Sequence, residues 1–292
     1  MIGAWKPIEM AVPAVEARVN RSDPATLLFV GDLHMDHPAA DRAAIRRVLS
    51  EAVERKAAIV LLGDVFDLMQ GRNDRRSGKS ALREQYAGRD DYLLAALEDV
   101  SAFLRPFARN IWLLLEGNHE TAITKYNEVN MTRLLAHELR REGSECVAPG
   151  YQTYAVARPF ATVTNGERIP FWVAHGHGGG GEVTRGTIQA QRRAATYPDA
   201  RFLVSGHIHK SWFVPHDQYR IRRQTGETFV REQEHYSVGS AKDEFSLGRG
   251  YHVEAGRGPT TFSGWWCEFK RARGTTVAGE DRYEFWFTRA KP

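Results

Sequence analysis

Cysteine is nearly missing from this sequence. Cys146 and Cys267 are the two in 292 residues, and they share no Cys-x-x-Cys spacing. A disulfide framework and a thiolate zinc site are both excluded, and a reducing compartment is expected. Long apolar runs are missing too: none approaches the ~20 residues that a membrane span requires. The opening stretch MIGAWKPIEMAVPAVEARV is interrupted by Glu9, Pro13 and Glu16, so neither a signal peptide nor a span is expected there. A cytoplasmic protein with no membrane association is the expectation. No Pro/Ser-rich linker divides the chain, and no internal repeat or low-complexity tract appears beyond the four glycines at 178–181. These absences leave one domain spanning 1–292, with a basic insert at about 70–90 and a β-rich part at about 211–290. The net charge of +4 admits an anionic partner without demanding one.

What is present is one device used five times. TLLFVGDLH ends in Asp32 and His34, AIVLLGDVFD in Asp64 and Asp67, and IWLLLEGNHE in Asn118, His119 and Glu120. FWVAHGH ends in His175 and His177, and FLVSGHIH in His207 and His209. Each is a short apolar run of buried-strand type followed by a glycine-punctuated turn that carries metal-binding side chains. Helical patterns lie between them. In DRAAIRRVLSEAVERK, Ile45, Val48, Leu49, Ala52 and Val53 make one apolar face, and DYLLAALEDVSAFLRPFA and MTRLLAHELRREG are similar, the last stopping at Gly143. Alternating strands and helices predict an α/β sheet whose carboxyl edge gathers all five turns into one site. Beyond His209 the pattern turns to strands. Tyr283, Phe285 and Phe287 share a face there, and these strands are expected to close a second sheet.

The donor inventory is carboxylates, one amide and at least four imidazoles. Nitrogen and oxygen ligation without thiolate suits manganese, iron, zinc or nickel and is too rich in nitrogen for a calcium or magnesium cage. There are more donors than one tetrahedral ion can use. Two ions ~3.5–4 Å apart that share a carboxylate would use them all, as a clamp for in-line phosphoryl displacement.

GDLH, GDVFD, GNHE, HGH and GHIH, in this order, resemble the calcineurin-like metallophosphoesterases, and YSVGS at 236–240 resembles the closing strand and turn of that family. The resemblance implies a four-layer αββα sandwich of two mixed β-sheets flanked by helices, with two divalent ions per chain. Manganese is the leading choice of metal, with iron, zinc, nickel or magnesium behind it. By motif position Asp32, His34 and His209 would hold one ion, Asn118, His175 and His207 the other, and Asp64 would bridge them. His119 is similar to the family's non-ligand histidine, which protonates the leaving oxygen or stabilises charge at phosphorus. Glu120 is similar to the acidic residue that orients it. The glycine before His207 would let the backbone turn sharply, so that His207 and His209 reach different ions.

Departures from subfamily patterns narrow the activity. The run GDVFDLMQ lacks the Asp-Arg-Gly of the Ser/Thr phosphatases, His119 stands where the lipid A pathway hydrolases carry arginine, and no tyrosine ligand of the purple acid phosphatases can be placed. The expectation is a phosphodiesterase acting on nucleic acid or nucleotides, single-stranded nucleic acid being the candidate partner. A broad phosphomonoesterase is the alternative, and a non-catalytic scaffold with this fold is the alternative of another class. Arg72, Arg75, Arg76 and Lys79, with Arg83 and Arg89, would form a basic rim for phosphates, against the plainer reading of a solvated charged face. His177 would flank the site and touch substrate. Asp67 either supports a ligand or caps a turn, His37 reads as a solvated loop residue, and Trp265 and Trp266 read as packing residues.

Overall fold

The computed structural model describes residues 1–68, 82–86, 89–161, 166–178, 184, 186–245, 251–254, 256, 258–275 and 281–292. In chain order the strands are β1 (Lys6–Pro7), β2 (Ala14–Arg18), β3 (Ala25–Val30), β4 (Ala58–Leu61), β5 (Ile111–Leu115), β6 (Val147–Gly150) and β7 (Gln152–Phe160). They continue as β8 (Ile169–Ala174), β9 (Phe202–Ser205), β10 (Trp212–Ile221), β11 (Thr228–Ser237), β12 (Gly264–Thr275) and β13 (Asp281–Ala290). The helices that matter here are α1 (Arg42–Glu54), α2 (Tyr92–Leu104), α3 (Asn118–Asn127), α4 (Met131–Arg141) and α5 (Thr187–Thr196).

Two mixed sheets result, one ordered β13-β12-β3-β4-β5-β6 and the other β1-β2-β7-β8-β9-β11-β10. The period of two along each strand sorts the side chains into layers. Leu28, Val30, Ile59, Leu61 and Leu114 face outward into a core completed by α1, α2 and α4. The alternate residues Leu27, Phe29, Val60 and Leu113 face inward and meet Phe171, Val173, Phe202 and Val204 of the other sheet. Trp172 and Leu203, on that sheet's far side, pack towards α5, where Tyr197 stacks on Trp172 at 4.3 Å. The order of layers is helix, sheet, sheet, helix, as the sequence resemblance implies.

Local chemistry fixes the helices. Asp41 caps α1 by accepting from Ala44 N at 2.8 Å, and Asn130 caps α4 by accepting from Arg133 N at 2.8 Å. The chain turns out of α4 through Gly143 at φ +83°. Ala44, Ile45, Val48, Leu49 and Ala52 of α1 are buried. Val53, expected with them, is 39% exposed, because at 100° per residue it falls past the edge of the stripe.

The C-terminal strands depart from expectation. β10 and β11 do join the second sheet, but β12 lies antiparallel to β3, with Trp265 opposite Phe29, so the last hairpin extends the first sheet. Trp265, Cys267 and Phe269 fill the core between the sheets, and Trp266 faces the helical layer, where the Arg55 guanidinium covers its ring at 4.6 Å. Both tryptophans are packing residues. Both cysteines are buried and free. Among the described residues no helix is long and apolar enough to cross a membrane.

Candidate metal centre

The five polar turns follow β3, β4 and β5 of one sheet and β8 and β9 of the other, and they meet at one edge of the sandwich. The backbone there is bent hard. Asp32, His34, Asp64, His207 and His209 all have positive φ, between 45° and 75°. Non-glycine residues in the left-handed region cost on the order of 1 kcal/mol or more each and persist where surrounding contacts over-determine them. The glycines of the turns provide close approach. A Cβ on Gly206 would stand 2.4 Å from Asp32 Oδ2, and one on Gly117 would stand 2.0 Å from Asp64 Oδ1. Because position 206 has no side chain, Asp32 accepts from His207 N at 2.9 Å (Oδ2) and 3.1 Å (Oδ1), tying one sheet to the other.

The donors form two adjoining groups. In the first, His34 Nε2 faces His209 Nε2 at 3.3 Å, His209 Nε2 lies 3.5 Å from Asp32 Oδ1, and His34 Nε2 lies 4.0 Å from Asp64 Oδ2. The donor atoms of these four residues lie within 4.8 Å of one another. In the second, His175 Nε2 lies 3.0 Å from Asn118 Oδ1, 3.2 Å from His207 Nδ1 and 3.3 Å from Asp64 Oδ2. His207 Nδ1 also meets Asn118 Oδ1 at 2.8 Å. Asp64 stands between the groups. Donors around an ion with bonds of ~2.0–2.2 Å stand ~3.0–3.5 Å apart, so most of these separations are close to those of a coordination shell.

Ring tautomers strengthen that fit. His209 Nδ1 contacts Glu244 Oε2 at 3.0 Å, and His34 Nδ1 lies 3.0 Å from Asp67 Oδ1, close though off the line of a good hydrogen bond. Carboxylates only accept, so each Nδ1 is the nitrogen set to carry the first proton, and the two Nε2 atoms face each other across the place that a metal, or a second proton on the raised His209, would fill. His175 Nδ1 likewise faces the Leu62 carbonyl at 2.9 Å. Imidazole nitrogens aimed at one another and at carboxylates call for a cation between them, and nitrogen with oxygen and no sulfur fits the first-row divalent metals. This donor set fits the two ions that the motifs imply.

The electrostatics agree. Burial pushes His34 down to about 3 and His207 to about 4, so both imidazoles stay neutral. Burial also opposes charge on His175, but Asp64 and Asp32 outweigh it and raise the ring to about 9, so a proton occupies the place that a metal would take. Burial raises Asp32. It acts the same way on Asp64, but His119 and His175 outweigh it and hold that carboxyl well below the usual range.

His119 stands beside the donors. Its ring lies edge-on to His34 at 4.8 Å, its Nε2 is 3.7 Å from Asp64 Oδ2, and its Nδ1 faces the Asp67 carbonyl. Glu120 does not reach that ring. Its carboxylate accepts from the backbone N–H of Gly117 at 2.8 Å, Phe66 at 3.0 Å and Asp64 at 3.1 Å, fastening two turns together. The Asp67 carbonyl does the orienting that the motif resemblance assigns to Glu120, because Glu120 is the third residue of α3, after the cap Gly117, and its side chain turns back to the helix end. Burial, then Asp64, pushes Glu120 up to about 7 against the pull of its backbone donors.

Three groups escaped the sequence reading. Lys242 donates to Asp67 at 2.9 Å, Glu244 backs His209, and Asp36 accepts from Leu68 N at 3.0 Å and from Asp67 N and the Tyr92 hydroxyl. The run AKDE directly after YSVGS, and Asp36 two residues after His34, were the available signals. Asp67 supports His34, and the residues of the turn it was expected to cap, from 69 on, lie outside the described residues. His37, expected in solvent, is half-buried and accepts from Ala39 N at 3.0 Å. His177 is exposed; partial burial, then Arg193 and Arg192, lowers its imidazole. Arg72, Arg75, Arg76 and Lys79 lie outside the described residues. Arg83 donates to the Ala40 carbonyl at 3.2 Å, and Arg89 pairs with Asp91 at 2.7 Å.

A family model described as calcineurin-like phosphoesterase matches residues 25–211. No curated protein matches the sequence. Among solved structures, that of Vps29 from Chaetomium thermophilum is similar at 11% identity and a TM-score of 0.36, over 92% of this chain and 98% of that one. The structure of the same protein complexed with the RaPID-derived cyclic peptide RT-D3 is similar at 10% identity and a TM-score of 0.30, over 92% of this chain and 97% of that one.

Proposed function

Because the chain belongs to the calcineurin-like phosphoesterase family, we propose that it hydrolyses phosphate esters at two divalent ions, manganese first among them. The substrate class is a phosphodiester of nucleic acid or nucleotides. The observation that carries this reading is the pair of imidazole nitrogens, His34 Nε2 and His209 Nε2, facing each other at 3.3 Å beside a second donor group that shares Asp64. Asp32, His34 and His209 would hold one ion, Asn118, His175 and His207 the other, with Asp64 between them. Bound there, the ions would supply Lewis-acid stabilisation of the phosphoryl oxygens and a water of lowered pKa.

The chain's own residues do the rest. The Asp67 carbonyl fixes the proton of His119 on Nδ1, so Nε2 is the nitrogen that can carry a second proton and give it to the leaving oxygen. Glu120 holds the Asp64 and Asn118 turns at a fixed distance, which keeps His119 in line with the donors. A degraded scaffold site would have lost some of these groups, whereas the five motifs of this sequence keep their metal-binding residue types. The segment from Arg72 to Arg89 is read as a basic rim that grips a polynucleotide backbone, which favours the diester over the monoester.

The test is hydrolysis by manganese-loaded protein of bis-aryl and mono-aryl phosphates beside single-stranded DNA and RNA. Cleavage of the diesters and of an oligonucleotide is expected. Cleavage of monoesters alone would make the protein a phosphomonoesterase, and no turnover by protein that binds two ions would favour the scaffold.

A further inference from the structure

Two carboxylates stand behind the first donor group, and one ammonium holds both. Asp67 Oδ1 is 3.0 Å from His34 Nδ1, and Glu244 Oε2 is 3.0 Å from His209 Nδ1. Lys242 Nζ lies 2.9 Å from Asp67 Oδ1 and 3.9 Å from Glu244 Oε1. Lys242, Asp67 and Glu244 are all buried, at 8%, 3% and 6% exposure. Asp36 anchors the far end of this chain by accepting from the backbone N–H groups of Asp67 and Leu68. Among the described residues the second donor group has no such carboxylate behind it: His175 leans on the neutral Leu62 carbonyl, and His207 already turns its Nδ1 towards Asn118.

We propose that Lys242 is a positioning residue that joins the outer carboxylates of His34 and His209 into one preassembled unit, making the Asp32–His34–His209 position the tightly held one and the Asn118–His175–His207 position the exchangeable one. The inference rests on the two-ion reading above. A carboxylate behind a ligating imidazole fixes its tautomer and raises its basicity, and such partners typically change metal affinity by ~10–100-fold. The first position has two of these partners. Removing the ammonium would take a countercharge from two buried carboxylates at once, and breaking a buried charge pair is strongly destabilising. Lys242 therefore holds both carboxylates in place before any ion arrives. Leu62 contributes only a peptide dipole to the second position.

The experiment loads the whole chain with manganese, dialyses it against a chelator and counts ions per chain by elemental analysis over time. Wild-type protein should lose one ion quickly and the other slowly. Lys242→Met should accelerate the slow phase by ~10–100-fold, and Lys242→Arg should leave it slow. If Lys242→Met has no cooperative thermal transition, Asp67→Asn and Glu244→Gln each sever one link and should each accelerate the slow phase. A single phase for both ions in wild-type protein overturns the proposal, as does an unchanged slow phase in folded Lys242→Met or in both single-link variants. Fewer than two ions in loaded wild-type protein overturns the two-ion reading together with this one.

Discussion

Replacing Asp64 by asparagine isolates one charge at nearly constant shape. Asp64 Oδ1 accepts from His119 N at 3.0 Å, a bond that an amide oxygen keeps, so the turn should survive. What disappears is the negative charge 3.3 Å from His175 Nε2. Its strength can be read from His175, which rises from the ordinary 6.5 to about 9 with Asp64 as the leading attraction against burial. That rise is worth ~3 kcal/mol at 1.36 kcal/mol per tenfold. A Coulomb estimate at this distance gives ~5 kcal/mol for an effective dielectric of ~20. A divalent ion feels the same field with twice the charge, so Asp64→Asn should weaken ion binding by at least ~100-fold, the equivalent of ~3 kcal/mol.

Competition with a chelating dye measures this, with a thermal melt to show that the variant folds. The pH dependence gives a second reading. Below about 9 the proton on His175 competes with the ion, so wild-type affinity should rise as pH increases towards 9 and level off above it. In Asp64→Asn the levelling should come at lower pH, because His175 no longer holds its proton as firmly. Two ions bound with unchanged affinity, or a pH profile identical to that of wild type, would refute the reasoning.

His119→Ala should retain both ions and slow hydrolysis by ~10²–10⁴, with a smaller loss for nitrophenyl esters whose leaving group needs little protonation; an equal loss for good and poor leaving groups would reject the proton-donor role. Reversing Arg75, Arg76 and Lys79 to Glu should raise KM for an oligonucleotide and flatten its salt dependence, which should run at ~−0.7 in log–log slope per phosphate contacted. A small aryl diester should be nearly unaffected, and equal effects on both substrates would make the segment an ordinary solvated face. His235 is held down to about 4 by burial, with Arg193 and His216 adding to it, so it is neutral when folded and charges on unfolding below pH 6.5. Stability should therefore fall as pH drops from 6.5 towards 4, by at most ~3 kcal/mol from this group. His235→Gln should flatten that slope in urea unfolding at several pH values, and parallel slopes would contradict it.

The donor turns were legible because the chemistry of Asp32, Asp64, Asn118, His175, His207 and His209 is written next to the strand that delivers it. A short apolar run names the strand, the glycine names the turn, and α/β topology brings the ends together. The supporting groups had no such signature. Glu244 reaches His209 only after the β10–β11 hairpin returns the chain, and Lys242 meets Asp67 across 175 residues, so their meaning exists only in the closed fold. Glu120 misled because adjacency to His119 in sequence suggests contact, while on a helix neighbouring residues point about 100° apart. The last hairpin misled for a related reason. The alternation of Trp265, Cys267 and Phe269 identifies a face to bury but not the sheet that accepts it.

The candidate centre is divided between two sheets whose contact is mostly apolar, as where Phe29 stacks on Phe171 at 5.6 Å. Greasy layers can shift past one another by fractions of an ångström at little expense, whereas facing imidazoles 3.3 Å apart cannot. The cleft thus acts as a caliper on the interior. Its jaws are Asp32 and His34 on one side and His207 and His209 on the other, and their opening is set by the thickness of the aromatic filling far below them. A bulkier or thinner residue at position 171 would be felt first at the jaws, as a change in which metal radius fits, well before the fold itself gave way.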